Sequence, residues 1–122
     1  MIDELFNRQY DHRRYHCVHF VIDAAKTIFE LDYAPSFIGL TGSLDETIKT
    51  SRATAHRNKQ IKNPTSGCIV LMTKQDNSSH VGIYYKNKVL HLTDSGVQLL
   101  TLNQIELIFK RVRFYEPNLR NQ

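Results

Sequence analysis

The apolar residues change their period along the chain, and this change constrains the fold more than any other feature. Between residues 17 and 28 they follow one face of an α-helix, at Cys17, Phe20, Val21, Ala24, Ala25 and Ile28. We predict a helix from about residue 16 to 30 that ends before Pro35. After residue 67 the chain carries short β-branched and aromatic runs between turn residues. This order predicts an α+β fold with an antiparallel sheet rather than a doubly wound α/β fold.

Five segments after residue 67 are predicted to be strands. They cover residues 68–72, 80–85, 89–93, 97–100 and 110–115. Lys86-Asn87-Lys88 predicts a hairpin between the second and third strands, and Asp94-Ser95-Gly96 predicts the next turn. Thr101-Leu102-Asn103-Gln104 is expected to cap a short helix near residues 102–109. We therefore expect an antiparallel meander that includes one late helix.

The part of the chain before the strands contains two less regular segments. Residues 1–15 are polar with isolated apolar residues, which suggests a short helix or arm. Ser43-Leu44-Asp45-Glu46 is a capping-box sequence and predicts a second helix through about residue 58. Few apolar residues follow this cap, so we expect that helix to be peripheral.

Size and charge set broad limits on function. The 122 residues suit one domain, and the net charge of +4 favours anionic partners without choosing among them. Because the basic residues are scattered, we interpret the excess as a mildly positive solvated surface and expect no nucleic-acid partner. No apolar run approaches the ~20 residues of a membrane span. The first six residues, Met-Ile-Asp-Glu-Leu-Phe, lack the features of a secretory signal. We therefore expect synthesis in the cytoplasm.

Cys17 is the first candidate functional residue, because it lies in the first turn of the predicted helix. The positive end of the helix dipole and the free N–H groups there stabilise a thiolate. The same groups can hold an oxyanion on a substrate carbonyl. We expect the pKa of Cys17 to lie below the free-thiol value of ~8.5. The simpler alternative is a small buried cysteine at the start of an amphipathic helix, and we interpret Cys68 in that way.

Two histidines on adjacent predicted strands complete a candidate site. Alternation places His80 and Gly82 on one face of their strand, and His91 on the same face of the next. If Tyr84 pairs with Val89, then Gly82 lies opposite His91 and His80 is its diagonal neighbour. Glycine leaves room between the two imidazoles. We expect the N-terminal turn of the Cys17 helix to pack against this face.

Cys17, His80 and His91 have the residue types that nucleophilic catalysis requires. In this interpretation Cys17 attacks a carbonyl carbon, and His80 takes the thiol proton and returns it to the leaving amine. His91 accepts a hydrogen bond from the far nitrogen of His80 and so fixes its tautomer. These three residues are the predicted catalytic triad.

The sequence resembles the NlpC-type cell-wall cysteine peptidases. That family has a helix start Asp-Cys-Ser-Gly-Phe-Val, then the strands Gly-Asp-Leu-Val, His-Val-Gly-Ile-Tyr and Phe-Ile-His. The counterparts in this chain are residues 16–21, 67–70, 80–84 and 89–91. His16 stands where the family has Asp, and Cys68 where Gly-Asp-Leu-Val has Asp. The resemblance covers about residues 15–115, and the short phage-tail members are the most similar in style.

The resemblance implies a single papain-like domain over residues 1–122, with a core at about 15–115. It implies a cysteine peptidase or amidase that hydrolyses an amide bond in peptidoglycan, with the stem peptide as substrate and without a cofactor or metal. It also implies a phage-tail protein or a delivered effector that acts at the cell wall beside other tail or secretion-system proteins. Relatives place a tyrosine near the thiol, which makes Tyr10 and Tyr15 oxyanion candidates, and His16 is a further candidate for substrate contact.

Two alternatives use the same residues differently. His12, His16, Cys17 and His19 form a dense cluster that resembles a zinc site. No second ligand pair supports it, so we rank zinc below catalysis and expect His16 and His19 to face substrate or solvent. His56 is interpreted as solvated surface. The second alternative is a noncatalytic tail or effector interaction module that retains the papain-like fold.

Overall fold

The computed structural model describes residues 2–37 and 58–119. These residues form two α-helices, two 3₁₀ helices and six strands. The α-helices are α1 (Cys17–Phe29) and α2 (Leu102–Ile108), and the 3₁₀ helices are Ile2–Asn7 and Ala34–Phe37. The strands are β1 (Lys59–Ile61), β2 (Ile69–Thr73), β3 (Ser79–Tyr85), β4 (Lys88–Thr93), β5 (Gly96–Thr101) and β6 (Arg111–Glu116). The helix predicted from Ser43 falls on residues outside the described part.

The strands form one antiparallel sheet in the order β1-β6-β2-β3-β4-β5. A mixed α+β fold with a helix packed on an antiparallel sheet is therefore confirmed. The five predicted strands are present within one or two residues of their expected ends. β1 was not predicted, because Lys59-Gln60-Ile61 is short and largely exposed. Its strand conformation comes from pairing with β6 at the sheet edge.

The predicted apolar stripe of α1 packs against one face of the sheet. Phe20, Val21, Ala24 and Ala25 are fully buried in one cluster with sheet residues Ile69, Leu71, Val81, Ile83, Leu90 and Leu92. Val18 is also buried and widens the stripe. The helix ends at Glu30, which adopts a left-handed conformation with φ of 57°. The helix and its buried face are therefore as predicted.

The opposite face of the sheet carries a second apolar cluster. Val70, Met72 and Val89 lie there with Ile105 of α2. Thr101 and Gln104 form the capping box that starts α2. Cys68 is buried in this cluster, and burial raises the pKa of its thiol to about 11. The interpretation of Cys68 as a packed thiol is confirmed.

The turn between β3 and β4 has only two residues. Lys86 and Asn87 both have positive φ, 49° and 64°, as in the tight turns that suit the twist of a hairpin. Tyr84 pairs with Val89, and Ile83 pairs with Leu90. The predicted hairpin register is therefore confirmed.

In residues 2–37 and 58–119, no helix has both the length and the apolar character needed to cross a membrane.

Candidate active site

His80 and His91 form a buried hydrogen-bonded pair. His80 lies near the start of β3 and His91 lies in β4, and Nε2 of His80 is 2.8 Å from Nδ1 of His91. The ring centroids are 5.0 Å apart with an interplanar angle of 74°. Both residues are buried, with 7% and 1% of their surfaces exposed. The diagonal arrangement is the one that the register predicts.

Gly82 lies in the crowded space beside this pair. A Cβ atom on residue 82 would lie 2.9 Å from the carbonyl oxygen of Leu90 and 3.0 Å from Cβ of His91. Such distances are shorter than carbon atoms tolerate, and the carbonyl oxygen belongs to the main chain, which cannot easily move away. A glycine at this position therefore allows β3 and β4 to approach each other beside the histidines.

Phe109 covers the histidine pair and was not identified from the sequence. It follows directly after α2, and its ring is stacked on His80 with centroids 5.8 Å apart and planes 9° apart. Its ring also meets His91 at 73°, with centroids 6.2 Å apart. The only signal in the sequence was an aromatic residue at a helix end. Its contact with the pair depends on the packing of α2 on this face.

Burial controls the charge state of both histidines. Desolvation lowers the pKa of His80 well below 6.5, and the neighbouring His91 and the positive charge of Lys74 lower it further. Desolvation also lowers the pKa of His91, to about 4. Both imidazoles are therefore neutral near pH 7, and one proton lies between them. Nε2 of His91 is buried and has no hydrogen-bond partner among the described residues.

The histidine pair and α1 lie on opposite faces of the sheet. Val81, Ile83, Leu90 and Leu92 pack against α1, so the alternating residues His80 and His91 point to the α2 side. The prediction that the N-terminal turn of α1 packs against the histidine face is wrong. The reason is that Val81, Ile83, Leu90 and Leu92 on the other side of the same strands form an apolar surface, and α1 buries its own apolar stripe there.

Cys17 reaches the site through an opening between β3 and β4. The N–H of Tyr84 donates to the carbonyl of Cys68 on the β2 side. By alternation the N–H of Val81 points towards β4. In the described chain the pairing of β3 with β4 stops at Ile83 and Leu90, although both strands continue. The N–H of Val81 instead lies near the sulfur of Cys17, where it favours the thiolate. The thiol therefore lies where the pairing between β3 and β4 is missing. It is beside Val81, the residue that follows His80 in the chain.

One cavity of about 250 Å³ joins these groups. Six of the residues that line it carry the chemistry of the site: Tyr10, Cys17, Lys74, His80, Asp94 and Phe109. The cavity lies where β3 and β4 separate, beside the β2–β3 and β4–β5 turns. Cys17 and His80 thus share one concave surface, while His91 lies behind His80.

The thiol of Cys17 is protonated in this environment. Desolvation is the largest influence and raises its pKa above 9.0, although the N–H groups of Val81 and Val18 and the charge of Lys74 oppose it. The prediction of a depressed pKa is therefore wrong. Only 2% of the residue surface is exposed. At such burial the cost of removing a thiolate from water exceeds the stabilisation by the helix N-terminus. The resting site contains a thiol and a neutral imidazole.

His16 and His19 cap α1 rather than face the site. His16 is fully buried, and its Nδ1 accepts a hydrogen bond from the N–H of Val18 at 3.3 Å. Nδ1 of His19 accepts from the N–H of His16 at 3.1 Å, which completes a capping box. The prediction that His16 faces substrate or solvent is wrong, because its ring nitrogen binds the main chain. No group of three metal-binding side chains occurs among the described residues.

The two candidate tyrosines lie in different places. Tyr10 lines the cavity with Cys17. The hydroxyl of Tyr15 instead donates to Asp23 of α1, and Nε of Arg8 donates to the same carboxylate at 2.7 Å. These contacts hold the N-terminal segment against α1. Of the two, only Tyr10 lines the cavity beside the thiol.

Lys74 and Asp94 also line the cavity and were not identified from the sequence. A signal for them existed. Both residues come directly after strands, β2 and β4, that run in the same direction in the antiparallel sheet. The turns after such strands lie at the same end of the sheet, which is also the end where His80 starts β3.

The comparisons with known proteins add no family to this geometry. No protein-family model matches the sequence, and no curated protein matches it.

Proposed function

We propose that this chain is a papain-like cysteine hydrolase of the NlpC type, which cleaves an amide bond in peptidoglycan. The observation that carries the proposal is the 2.8 Å contact between His80 and His91 beside a cavity that Cys17 also lines. A thiol nucleophile, an imidazole base and a second group that orients this base are the parts that nucleophilic acyl transfer uses. Cys17 is the nucleophile, His80 is the base, and His91 orients His80.

The neutral resting state determines how the proposed reaction begins. Because the pKa of Cys17 is raised and that of His80 is lowered, no ion pair exists before substrate binds. His80 donates its Nε2 proton to Nδ1 of His91, so its own Nδ1 is free to accept a proton. As the sulfur attacks the substrate carbonyl, the thiol proton moves to His80. Proton transfer therefore accompanies attack.

The remaining steps return each group to its starting state. The tetrahedral intermediate breaks its C–N bond while His80 gives its proton to the leaving amine, and the acyl group stays on sulfur as a thioester. Water then attacks the thioester as His80 accepts a proton from it. The C–S bond breaks, the acid leaves and Cys17 regains its proton.

The proposed oxyanion donors are the N–H of Cys17 and the hydroxyl of Tyr10. The side chain of His16 already accepts hydrogen bonds from the N–H groups of Val18 and His19, so these two donors are used in the helix cap. The N–H of Cys17 lies close to its own sulfur, and Tyr10 lines the cavity. Both can donate to an oxygen that becomes negative during attack.

The biological setting follows from the family resemblance alone. We propose that the protein acts at the cell wall as a phage-tail component or a delivered effector, with the peptidoglycan stem peptide as substrate. Other tail or secretion-system proteins are its proposed partners.

One observation favours a second function, a noncatalytic interaction module. Cys17 is buried and its pKa is raised, as expected for a thiol that only packs. In that case the same cavity binds a wall or tail component without cleaving it. Turnover separates the two functions.

The test is digestion of purified peptidoglycan with mass analysis of the products. We expect the wild-type protein to release fragments that carry a new amine and a new carboxylate, and Cys17→Ala to release none. Cys68→Ala is the matched control, because Cys68 is a second buried thiol that does not line the cavity, and it should retain activity. Equal yields from wild type and Cys17→Ala would refute the hydrolase, and an intact substrate that still binds would establish the interaction module.

A further inference from the structure

One positive and one negative side chain, Lys74 and Asp94, line the cavity at separate positions. Lys74 follows β2 and Asp94 follows β4, and β3 lies between these strands. Neighbouring strands are about 4.8 Å apart, so the two backbone positions are separated by roughly 10 Å. In residues 2–37 and 58–119 the one salt bridge joins Arg8 to Asp23, so neither cavity charge is neutralised by an ion pair.

Lys74 lies close to the reacting groups. Its charge lowers the pKa values of Cys17 and His80, so its ammonium acts on both sides of the proposed proton transfer. The charge of Lys74 also contributes to the lowered pKa of the nearby Asp76. The carboxylate of Asp76, however, accepts hydrogen bonds from the hydroxyl and N–H of Ser78 at 2.6 and 2.9 Å. The exposed ammonium of Lys74 is thus available to an incoming anion.

We infer that Lys74 binds a carboxylate of the substrate, so that the site selects amide bonds with a free carboxylate close to the scissile carbonyl. This inference rests on the proposed hydrolase and adds a specificity-determining residue to it. Asp94 repels a carboxylate on its side of the cavity and so favours the orientation in which the anionic group lies towards the β2–β3 turn.

The test compares two reagents that differ in charge and little in size. Iodoacetate carries a carboxylate beside its reactive carbon, and iodoacetamide carries a neutral amide there. The thiolate of Cys17 displaces iodide from both. A variant that changes the pKa of Cys17 changes both rates equally, so the ratio of the two rates reports only the attraction of the carboxylate. Mass mapping separates Cys17 from Cys68.

In Lys74→Met we expect the iodoacetate-to-iodoacetamide ratio at Cys17 to fall about three- to tenfold at low salt. The difference should shrink in 1 M salt, because exposed charges are screened. Lys88→Met is the matched control, since Lys88 is an exposed lysine at the opposite end of β4, and its ratio should equal that of wild type. Lys74→Arg should keep the ratio, and Asp94→Asn should raise it.

An unchanged ratio in folded Lys74→Met would overturn the inference, and so would a Cys17 that neither reagent reaches. The readout does not depend on turnover. If the protein cleaves no peptidoglycan but shows the Lys74-dependent ratio, the carboxylate site stands and the proposed hydrolase is rejected. If the protein is an active hydrolase with an unchanged ratio, only the role of Lys74 is rejected.

Discussion

Nε2 of His80 lies 2.8 Å from Nδ1 of His91, with both rings buried beneath Phe109. Because both pKa values are lowered, this contact joins two neutral imidazoles and requires that one donates and the other accepts. The tautomer of one ring therefore determines the tautomer of the other. His80 can accept the proton of Cys17 only when it donates its Nε2 proton to His91.

His91 should matter less to turnover than His80. For the proposed hydrolase, His80→Ala should lower kcat/KM about as much as Cys17→Ala, because residues that act as a unit are not additive. The loss of kcat/KM in His91→Ala should be about 10- to 100-fold smaller, since His80 then loses its orientation but still transfers the proton. His91→Asn should recover part of that loss through its amide oxygen. Product release from peptidoglycan measures each rate.

His12 provides the control for these variants, because it is an exposed histidine outside the cavity. His12→Ala should retain the wild-type rate. A His80→Ala protein that is folded and fully active would contradict the assignment of the base.

The alkylation rate of Cys17 should rise with a midpoint above pH 9. Desolvation raises its pKa, and the facing groups Tyr10, Lys74, His80 and Asp94 do not reverse this. Rates of iodoacetamide labelling between pH 6 and 10.5, resolved by peptide mass mapping, measure the midpoint. Cys68 is the internal control and should react more slowly, with a rate that is still rising at pH 10.5 because its pKa is about 11. A Cys17 midpoint below 8 would show that an ion pair with His80 outweighs burial.

The fold should lose stability as the pH falls from 6.5 towards 4. The pKa of His91 is about 4 in the fold against about 6.5 when unfolded, so the unfolded state binds more protons in this range. The contribution of this pKa shift to the free energy of unfolding is complete above pH 6.5. It is lost progressively below pH 6.5, by roughly 3 kcal/mol in total for a shift of this size. The lowered pKa of His80 adds to the loss.

Urea unfolding at pH 7.5, 6.5, 5.5 and 4.5 measures this loss as a falling free energy of unfolding. His91→Gln should flatten the slope because glutamine does not titrate, whereas His12→Gln should leave it as in wild type. A free energy of unfolding that stays constant down to pH 4.5 would mean that the histidines take up protons without leaving the fold.

Tyr10 and Tyr15 should respond differently to loss of the hydroxyl. Tyr10→Phe should lower kcat at unchanged stability, because the hydroxyl is a proposed oxyanion donor. Tyr15→Phe should lower the free energy of unfolding by about 1 kcal/mol, since its hydroxyl donates to Asp23, and should retain activity. Paired measurements of peptidoglycan cleavage and thermal unfolding separate the two effects. The reverse pattern would place Tyr15 at the site and Tyr10 in the scaffold.

The features that the sequence predicted correctly depend on neighbours close in the chain. The α1 stripe follows from a spacing of three and four residues, and five of its predicted members are buried. The β3–β4 register follows from a two-residue turn, so Tyr84 meets Val89 and the diagonal pair of His80 and His91 results. Local periodicity and turn length carry this information without knowledge of the rest of the fold.

The features that the sequence missed depend on which groups are removed from water and by what. The position of Cys17 at a helix start predicted a thiolate, but burial between β3 and β4 raises its pKa. The sequence predicted that His16 faces substrate or solvent, but its ring caps α1. Lys74 and Phe109 reach the cavity from segments that the sequence did not connect to it.

The sequence by itself determined α1, the positions of five strands along the chain and the β3–β4 pairing that brings the two histidines together. It did not predict that β6 pairs with β2, since a simple meander would place β6 beside β5. The tertiary structure alone decided which face α1 covers, and therefore that the thiol reaches His80 through an opening in the sheet. The physical reason is that strand alternation defines the two faces of the sheet but does not determine which helix packs against each face. Only the packing of α1 on one face and α2 on the other sets the desolvation that controls Cys17, His80 and His91.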